Sequence, residues 1–320
     1  MTSDEPRPPA IPDAPGTPAV AVVGLGGVGG VVAGCLAEAG RCALVTCTRR
    51  PLPALIFERA GAAVELAPRN LTRPDAAGPV DWVLLCTKTY DSAAAGAWLR
   101  RLCGPSTRVA VLQNGLGQVE RIAPFLGEAA ALPAIVYYNG ERLAPDGPDR
   151  VRVRLNPVGA RDLVVADDPA GRAFARLFEG TPLRVELSGD FVTLIWRKLL
   201  LNGAANPISA LVRQRQVAFR RPEIQALALE VLTEAVAAGR AEGARLEPDE
   251  AERMLAILLS YPAETGTSMY FDATLGRPLE IEAVTGEIVA AAERHGIATP
   301  INRTLLTLLR AVSDAAAAGS

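Results

Sequence analysis

Lys198, Asn202 and Asn206 recur at i, i+4 and i+8 in the otherwise largely apolar segment 194–207. That spacing puts all three on one helix face, with steps of about 6 Å at roughly 1.5 Å rise per residue. One ammonium and two amides in line can hold a small polar molecule. A solvated stripe is the alternative, but such stripes usually carry Glu and Lys, and Asn weakens a helix. Beside a bound hydride donor, such a row would also serve carbonyl reduction. Hydride arriving at a ketone leaves alkoxide charge on oxygen, and a fixed cation stabilises that charge and then supplies the proton. Many dehydrogenases use His for this. The single His, His295, stands before Gly296 in what reads as a helix C-cap, so Lys198 is the better donor. Its reference pKa of about 10.4 keeps it protonated unless burial lowers it. Pro207 is expected to end or kink the helix just past Asn206. A second polar cluster spans 267–272, where Thr267 or Ser268 could cap a helix ending near Gly276. Glu280, beyond Pro278, stands at the head of the next helix. There it could serve the dipole or a cap, or could orient Lys198 and hold it charged.

Gly24-Leu25-Gly26-Gly27-Val28-Gly29 is a GxGxxG loop between an apolar run, Ala19–Val23, and a helical stretch, 28–39, ended by Gly40. In that setting the first glycine permits a tight turn, the second lets a pyrophosphate approach the backbone, and the third lets helix pack on strand. A helix N-terminus adds unpaired N–H groups and about half a positive charge. Without those neighbours, the loop would read as a packing turn in a Gly-rich chain. The end of the second strand reads Thr48-Arg49-Arg50. An acidic residue there would take the ribose 2′-hydroxyl of NAD, whereas Arg pairs with a 2′-phosphate. The expected cofactor is NADP(H), unless both Arg are plain solvated loop residues.

Two textures must position these groups. The chain has 320 residues, and at roughly 100–200 per domain that suggests two domains. Strands are expected at Ala19–Val23, 42–46, Ala62–Leu66, 82–86 and 108–112, with helices such as Ser92–Leu102 between some of them. Alternation of this kind implies a parallel sheet with crossovers. Over 133–187, Val151, Val153 and Leu155 alternate with Arg in an antiparallel pattern, and Asp146-Gly147-Pro148 marks a turn. Beyond about 189 the pattern is helical, at 191–201, 223–242, 248–259, 282–294 and 301–318. The expected fold is an α/β N-terminal Rossmann-type dinucleotide-binding domain followed by an all-α C-terminal domain. Its segments are a disordered lead-in over 1–18, an NADP-binding domain over 19–189 and a helical substrate and catalytic domain over 190–320. Net charge is −2, unlike a nucleic-acid binder. No uninterrupted apolar run reaches membrane-spanning length. The N-terminus does not read as a signal peptide. Five Cys without a CxxC fit free thiols in a reducing cytoplasm, and one His supports no multi-His metal site. The helical domain could support a homodimer, with no decisive apolar patch to fix it.

Further motifs run in order along the chain: Cys86-Thr87-Lys88, Leu112-Gln113-Asn114-Gly115-Leu116-Gly117, Trp196-Arg197-Lys198-Leu199 with Asn202 and Asn206-Pro207, Ser268-Met269 with Asp272, Glu280, and 292–302. Together with the glycine loop they resemble the ketopantoate reductase family, the NADPH-dependent 2-dehydropantoate 2-reductases, over about 19–312. The resemblance implies that Lys198 is the proton donor and that Asn202, Asn206 and Ser268 bind substrate. Asn114 would lie near both nicotinamide and substrate, Glu280 would touch the cofactor side and order the site, and Lys88 and Arg49 would contact the cofactor. It also implies reduction of a 2-keto acid, with ketopantoate leading to pantoate and on to pantothenate. Two positions often Asn in the family are Gln216 and Thr265 here, both expected to face substrate. They keep open a paralogue acting on another ketone or imine. A non-catalytic NADPH sensor is a third reading, disfavoured because a sensor needs only the first domain.

Overall fold

The structure, a computed structural model, describes residues 16–144, 150–156 and 159–318. The lead-in expected over 1–18 lies outside them as far as Pro15, and so does the turn at Asp146-Gly147-Pro148. The chain forms two compact units. The first ends at Gly189 but omits Asn114–Gly117, which belongs with Asp190 onward to the second.

In the first unit the order is β1 (Ala19–Val23), α1 (Gly27–Ala39), β2 (Ala43–Cys47), β3 (Ala54–Arg59), β4 (Ala62–Leu66), β5 (Arg69–Leu71), β6 (Trp82–Leu85), α2 (Ser92–Leu102), β7 (Arg108–Val111), α3 (Gln118–Ile122) and β8 (Ala130–Pro133). There follow β9 (Ile135–Val136), β10 (Asn139–Leu143), β11 (Arg150–Asn156), β12 (Leu163–Ala166), α4 (Pro169–Leu177) and β13 (Val185–Ser188). Six strands form a parallel sheet in the order β5-β2-β1-β6-β7-β8. Its central strand β1 is wholly apolar and buried from Val20 to Val23, as a strand covered on both faces must be. From β1 the chain runs outward to β2 and β5, then returns to β6 on the other side. The strand order therefore reverses beside β1, where open α/β sheets leave a ligand crevice.

Ala62–Leu66 is a strand, but not one of the parallel sheet. It is β4, antiparallel to β3 at the edge of a second sheet ordered β10-β11-β3-β4. Its exposed Ala62, Ala63 and Glu65 suit an edge rather than a core strand. The Val–Arg alternation is β11, antiparallel to β10 and parallel to β3. This sheet packs on α1. A Cβ at Gly30 would lie 2.4 Å from Val153 Cγ1, and one at Gly34 would lie 2.5 Å from Phe57 Cγ. Enclosed between two sheets, α1 has small apolar residues all round. A third sheet, β13-β12-β9, completes the unit.

The second unit holds α5 (Phe191–Val212), α6 (Pro222–Ala241), α7 (Glu250–Ser260), α8 (Ser268–Thr274), a π-helical turn over Glu282–Gly286, α9 (Glu287–Arg294) and α10 (Pro300–Ala318). Pro207 does not end its helix: α5 continues to Val212 and stops where Arg213 turns left-handed at φ 52°. Trp196, Leu199, Leu200, Ala204 and Ile208 are buried in one core with residues of α6 and α9. Packing on both sides of Pro207 thus outweighs its cost of about 3 kcal/mol. No helix among the described residues is long and apolar enough to cross a membrane.

Candidate active site

At the carboxyl ends of β1 and β2 the first unit presents mostly backbone. Gly24 has φ +92°, and its N–H donates to the Cys47 carbonyl at 3.3 Å. Gly26 is the N-cap of α1, in extended backbone with no side-chain cap, and a Cβ added there would meet nothing within 4 Å. The first-turn N–H groups of α1 therefore face an open place suited to an anion. Gly29 is the opposite case: its Cβ would lie 1.9 Å from the Gly24 carbonyl oxygen and 2.7 Å from Cys86 Cβ. Gly27 abuts the Gly140 backbone, with a Cβ there 1.8 Å from the Gly140 oxygen. Leu25 is buried at 6 % exposure, and the Val28 carbonyl accepts from the Tyr138 hydroxyl at 2.9 Å.

Beyond β2, Arg49 and Arg50 are exposed, and no carboxylate is paired with Arg49 among the described residues. The turn is set by Asn70, whose Nδ2 donates to Thr48 Oγ1 at 2.8 Å and to the Thr46 carbonyl at 3.1 Å. Lys88 is half-buried and precedes the short turn Thr89–Asp91 after β6. Gln113 ties the ends of β6 and β7 together. Its Nε2 donates to the Thr87 carbonyl at 3.0 Å and to Ser92 Oγ at 3.0 Å, while Arg121 donates to its Oε1 at 3.1 Å. Sequence reasoning gave Gln113 no role of its own.

The second unit gathers side chains. Lys198 is half-buried on α5, and its Nζ donates to Asn114 Oδ1 at 3.4 Å. Burial lowers its pKa to about 8, against the opposing charge of Glu280, which favours the ammonium. Glu280 is itself buried at 7 % exposure. Lys198, Asn114 and Glu280 thus come from three separate stretches of chain. Along the same face of α5, Asn202 is half-buried and Asn206 is 5 % exposed. Asn206 has no side-chain hydrogen bond among the described residues. One further turn on, buried Ser209 meets Thr267 Oγ1 at 2.9 Å. Thr267 is the N-cap of α8, accepting from Tyr270 N at 3.1 Å, and leaves Ser268 exposed as the first residue of that helix. Next to Lys198, Arg197 points elsewhere, to Glu250 on α7, with Nε 2.8 Å and a second nitrogen 3.1 Å from its oxygens.

Gln216, expected to face substrate, is buried, and its Nε2 donates to the Leu258 carbonyl of α7. Thr265 is exposed. His295 holds the C-cap of α9 and its ring meets Glu242 at 2.9 Å. The five cysteines are free, and burial raises their pKa values, Cys35 and Cys47 to about 12. A compositional signal strengthens the site: of 33 basic residues only Lys88 and Lys198 are lysines. The other 31 are Arg, so a titratable side-chain amine stands at two places only.

Comparison with known proteins agrees in both halves. The family described as ketopantoate reductase PanE/ApbA matches residues 20–155, and its C-terminal counterpart matches residues 190–313. The chain belongs to the ketopantoate reductase family. It is 40% identical over 285 residues to a 2-dehydropantoate 2-reductase of Mycobacterium tuberculosis, covering 88% of this chain and 94% of the relative. To one of Caulobacter vibrioides it is 39% identical over 290 residues, covering 88% and 94%. Among solved structures, the dimeric ketopantoate reductase of Staphylococcus aureus superposes with TM-score 0.80 at 29% identity, covering 93% of this chain and 99% of that one. The family's members are oxidoreductases, and the parallel sheet followed by a helical unit is their fold.

Proposed function

We propose that this protein reduces 2-dehydropantoate to pantoate with NADPH; its relatives are named 2-dehydropantoate 2-reductases. The observation that carries the reading is the Lys198 ammonium on α5, lowered to about 8, bonded to Asn114 and continued by Asn202 and Asn206. The first unit fits a dinucleotide. The uncapped start of α1 and the open side of Gly26 suit a pyrophosphate, and Arg49 suits a 2′-phosphate, with Lys88 as a further contact. Bound there, the cofactor supplies hydride to the carbonyl carbon. The chain's residues do the rest. Asn202, Asn206 and Ser268 hold the polar groups of the keto acid, while Asn114 fixes the ammonium. Lys198 donates a hydrogen bond to the carbonyl oxygen, stabilises the growing alkoxide and gives it a proton. The neutral amine left behind is reprotonated from solvent. Glu280 favours the charged amine and so keeps the donor loaded.

Thr265, which lacks the amide often found at its position in the family, favours a second reading in which another 2-keto acid or ketone is the substrate. Loss of NADPH absorbance with ketopantoate tests both. Turnover at rates usual for metabolic enzymes is expected. Turnover confined to other keto acids moves the reading to a paralogue. Tight NADPH binding without turnover on any carbonyl sinks both and leaves a sensor.

A further inference from the structure

The family reading accounts for Lys198 and Asn114 as separate groups. It does not account for how a loop that follows β7 comes to lie against α5. Within the second unit that loop is seated on the π turn. A π turn is wider than an α turn, and such turns are local, single and common at functional sites. Its wider ring lets a carbonyl accept from outside the helix, and here the Ala283 carbonyl accepts from Leu116 N–H at 3.1 Å. Gly115 makes the approach possible. It sits at φ +81°, and a Cβ on it would lie 1.8 Å from the Ala283 oxygen and 2.5 Å from its carbon. Gly117, at φ +64°, packs on the carboxylate of Glu287, where a Cβ would lie 2.4 Å from Oε1. The loop therefore touches the first turns of one helix at two points, and at Gly115 the approach of backbone to backbone leaves no room for a Cβ. The residue just before this seat is Asn114, whose Oδ1 is the acceptor for Lys198. The π turn starts two residues after Glu280, the carboxylate that favours the Lys198 charge. Both groups that act on the ammonium are thus referred to one helical irregularity.

We propose that Gly115 and the Ala283 carbonyl of the π turn are positioning groups that set the protonation of Lys198 through Asn114. This rests on Lys198 as the proton donor of the proposed reaction. Substituting Gly115 by Ala forces the loop off the π turn, removes the Asn114 acceptor and lets burial act on the amine unopposed by that bond. The lysine then becomes a poorer-loaded donor without any change in its own contacts on α5.

Titration of the amines tests the proposal directly. The chain has only two lysines, so NMR of the reductively 13C-methylated protein resolves Lys198 from Lys88 and the N-terminus, with Lys198→Arg for assignment. Gly115→Ala is expected to shift the Lys198 titration to lower pH by the same amount as Asn114→Ala, and the double variant no further, since both act through one bond. In parallel, kcat should fall about tenfold or more. An unshifted titration in Gly115→Ala, or shifts that add in the double variant, overturns the proposal. Should Gly115→Ala fail to fold, Gly117→Ala meets only a side-chain carboxylate and is the milder variant. A smaller shift in the same direction is expected there, and none at all overturns the proposal equally. The titration needs no turnover, so absence of keto-acid reduction by the unmodified protein would sink the functional reading while leaving this one decided by the NMR.

Discussion

The two candidate sites are built from opposite materials. The glycine loop works by what it leaves out: no Cβ at Gly26, no capping side chain on α1 and no carboxylate paired with Arg49 among the described residues. The α5 site works by what it brings in: Lys198 from α5, Asn114 from a loop after β7 and Glu280 from the approach to the π turn. A backbone site can be contiguous in sequence, because N–H groups and their helix dipole come with every residue. A side-chain site tuned by burial draws on distant segments, because desolvation and charge have to converge on one atom.

The sharpest way to break this contrast is Lys198→Ala. A loss in kcat of about 10²-fold or more is expected, with NADPH affinity unchanged by fluorescence titration; equal damage to cofactor binding would mean the units are not chemically separate. Next come two glycines of one motif. Gly29→Ala places a methyl 1.9 Å from the Gly24 oxygen, and overpacking of that kind costs about 1–3 kcal/mol, so Tm should fall by several degrees. Gly26→Ala meets nothing within 4 Å, so its Tm should hold while the Kd for NADPH rises. Equal Tm changes in the two would remove the distinction between a packing glycine and an access glycine. Arg49→Asp should lower the preference for NADPH over NADH by about tenfold, the worth of one charge-assisted bond; an unaltered ratio would place 2′-phosphate recognition elsewhere.

The smallest effect is on pH dependence. Donation needs the ammonium, so kcat should fall as pH rises through about 8. Stability moves the other way for the same group. Its folded pKa, about 8, lies below its ordinary 10.5, so the unfolded chain binds the extra proton between those values. The penalty of burying the charge is full below about 8 and relieved as pH approaches 10.5. The buried thiols push oppositely, since Cys35 and Cys47 are raised to about 12. The contribution is therefore read as a difference: a stability gain in Lys198→Met near neutral pH that shrinks toward alkaline pH. A constant gain would assign it to packing alone.

How far each part was legible follows the same division. Gly24–Gly29 with its flanking strand and helix could be read directly, because turn, access and packing are properties of adjacent residues. The Lys198–Asn202–Asn206 row was legible through helical spacing. Its surroundings were not. Pro207 predicts a helix end by local sterics, but burial between neighbouring helices carries α5 through to Val212. Ala62–Leu66 reads as one more strand, yet its partner is β3, and β3 pairs in turn with β11, Phe57 against Val153. No local pattern announces a pairing of that range. Gln216 was expected at a ligand and is spent on the Leu258 carbonyl, which only the packing of α7 could reveal. The π turn depends on a loop docking from elsewhere in the chain and has no signature of its own.

The second sheet also bears on how the protein comes to exist. Gly27 and Gly140 abut backbone to backbone, and the Tyr138 hydroxyl closes on the Val28 carbonyl 110 residues upstream. During synthesis α1 leaves the ribosome well before β10 and β11, which cover it. Until they emerge its small apolar face has no partner on that side, and contacts of such separation form slowly. That helix is thus made long before the strands that enclose it. The nascent chain is most exposed to misfolding and chaperone capture in the interval between them.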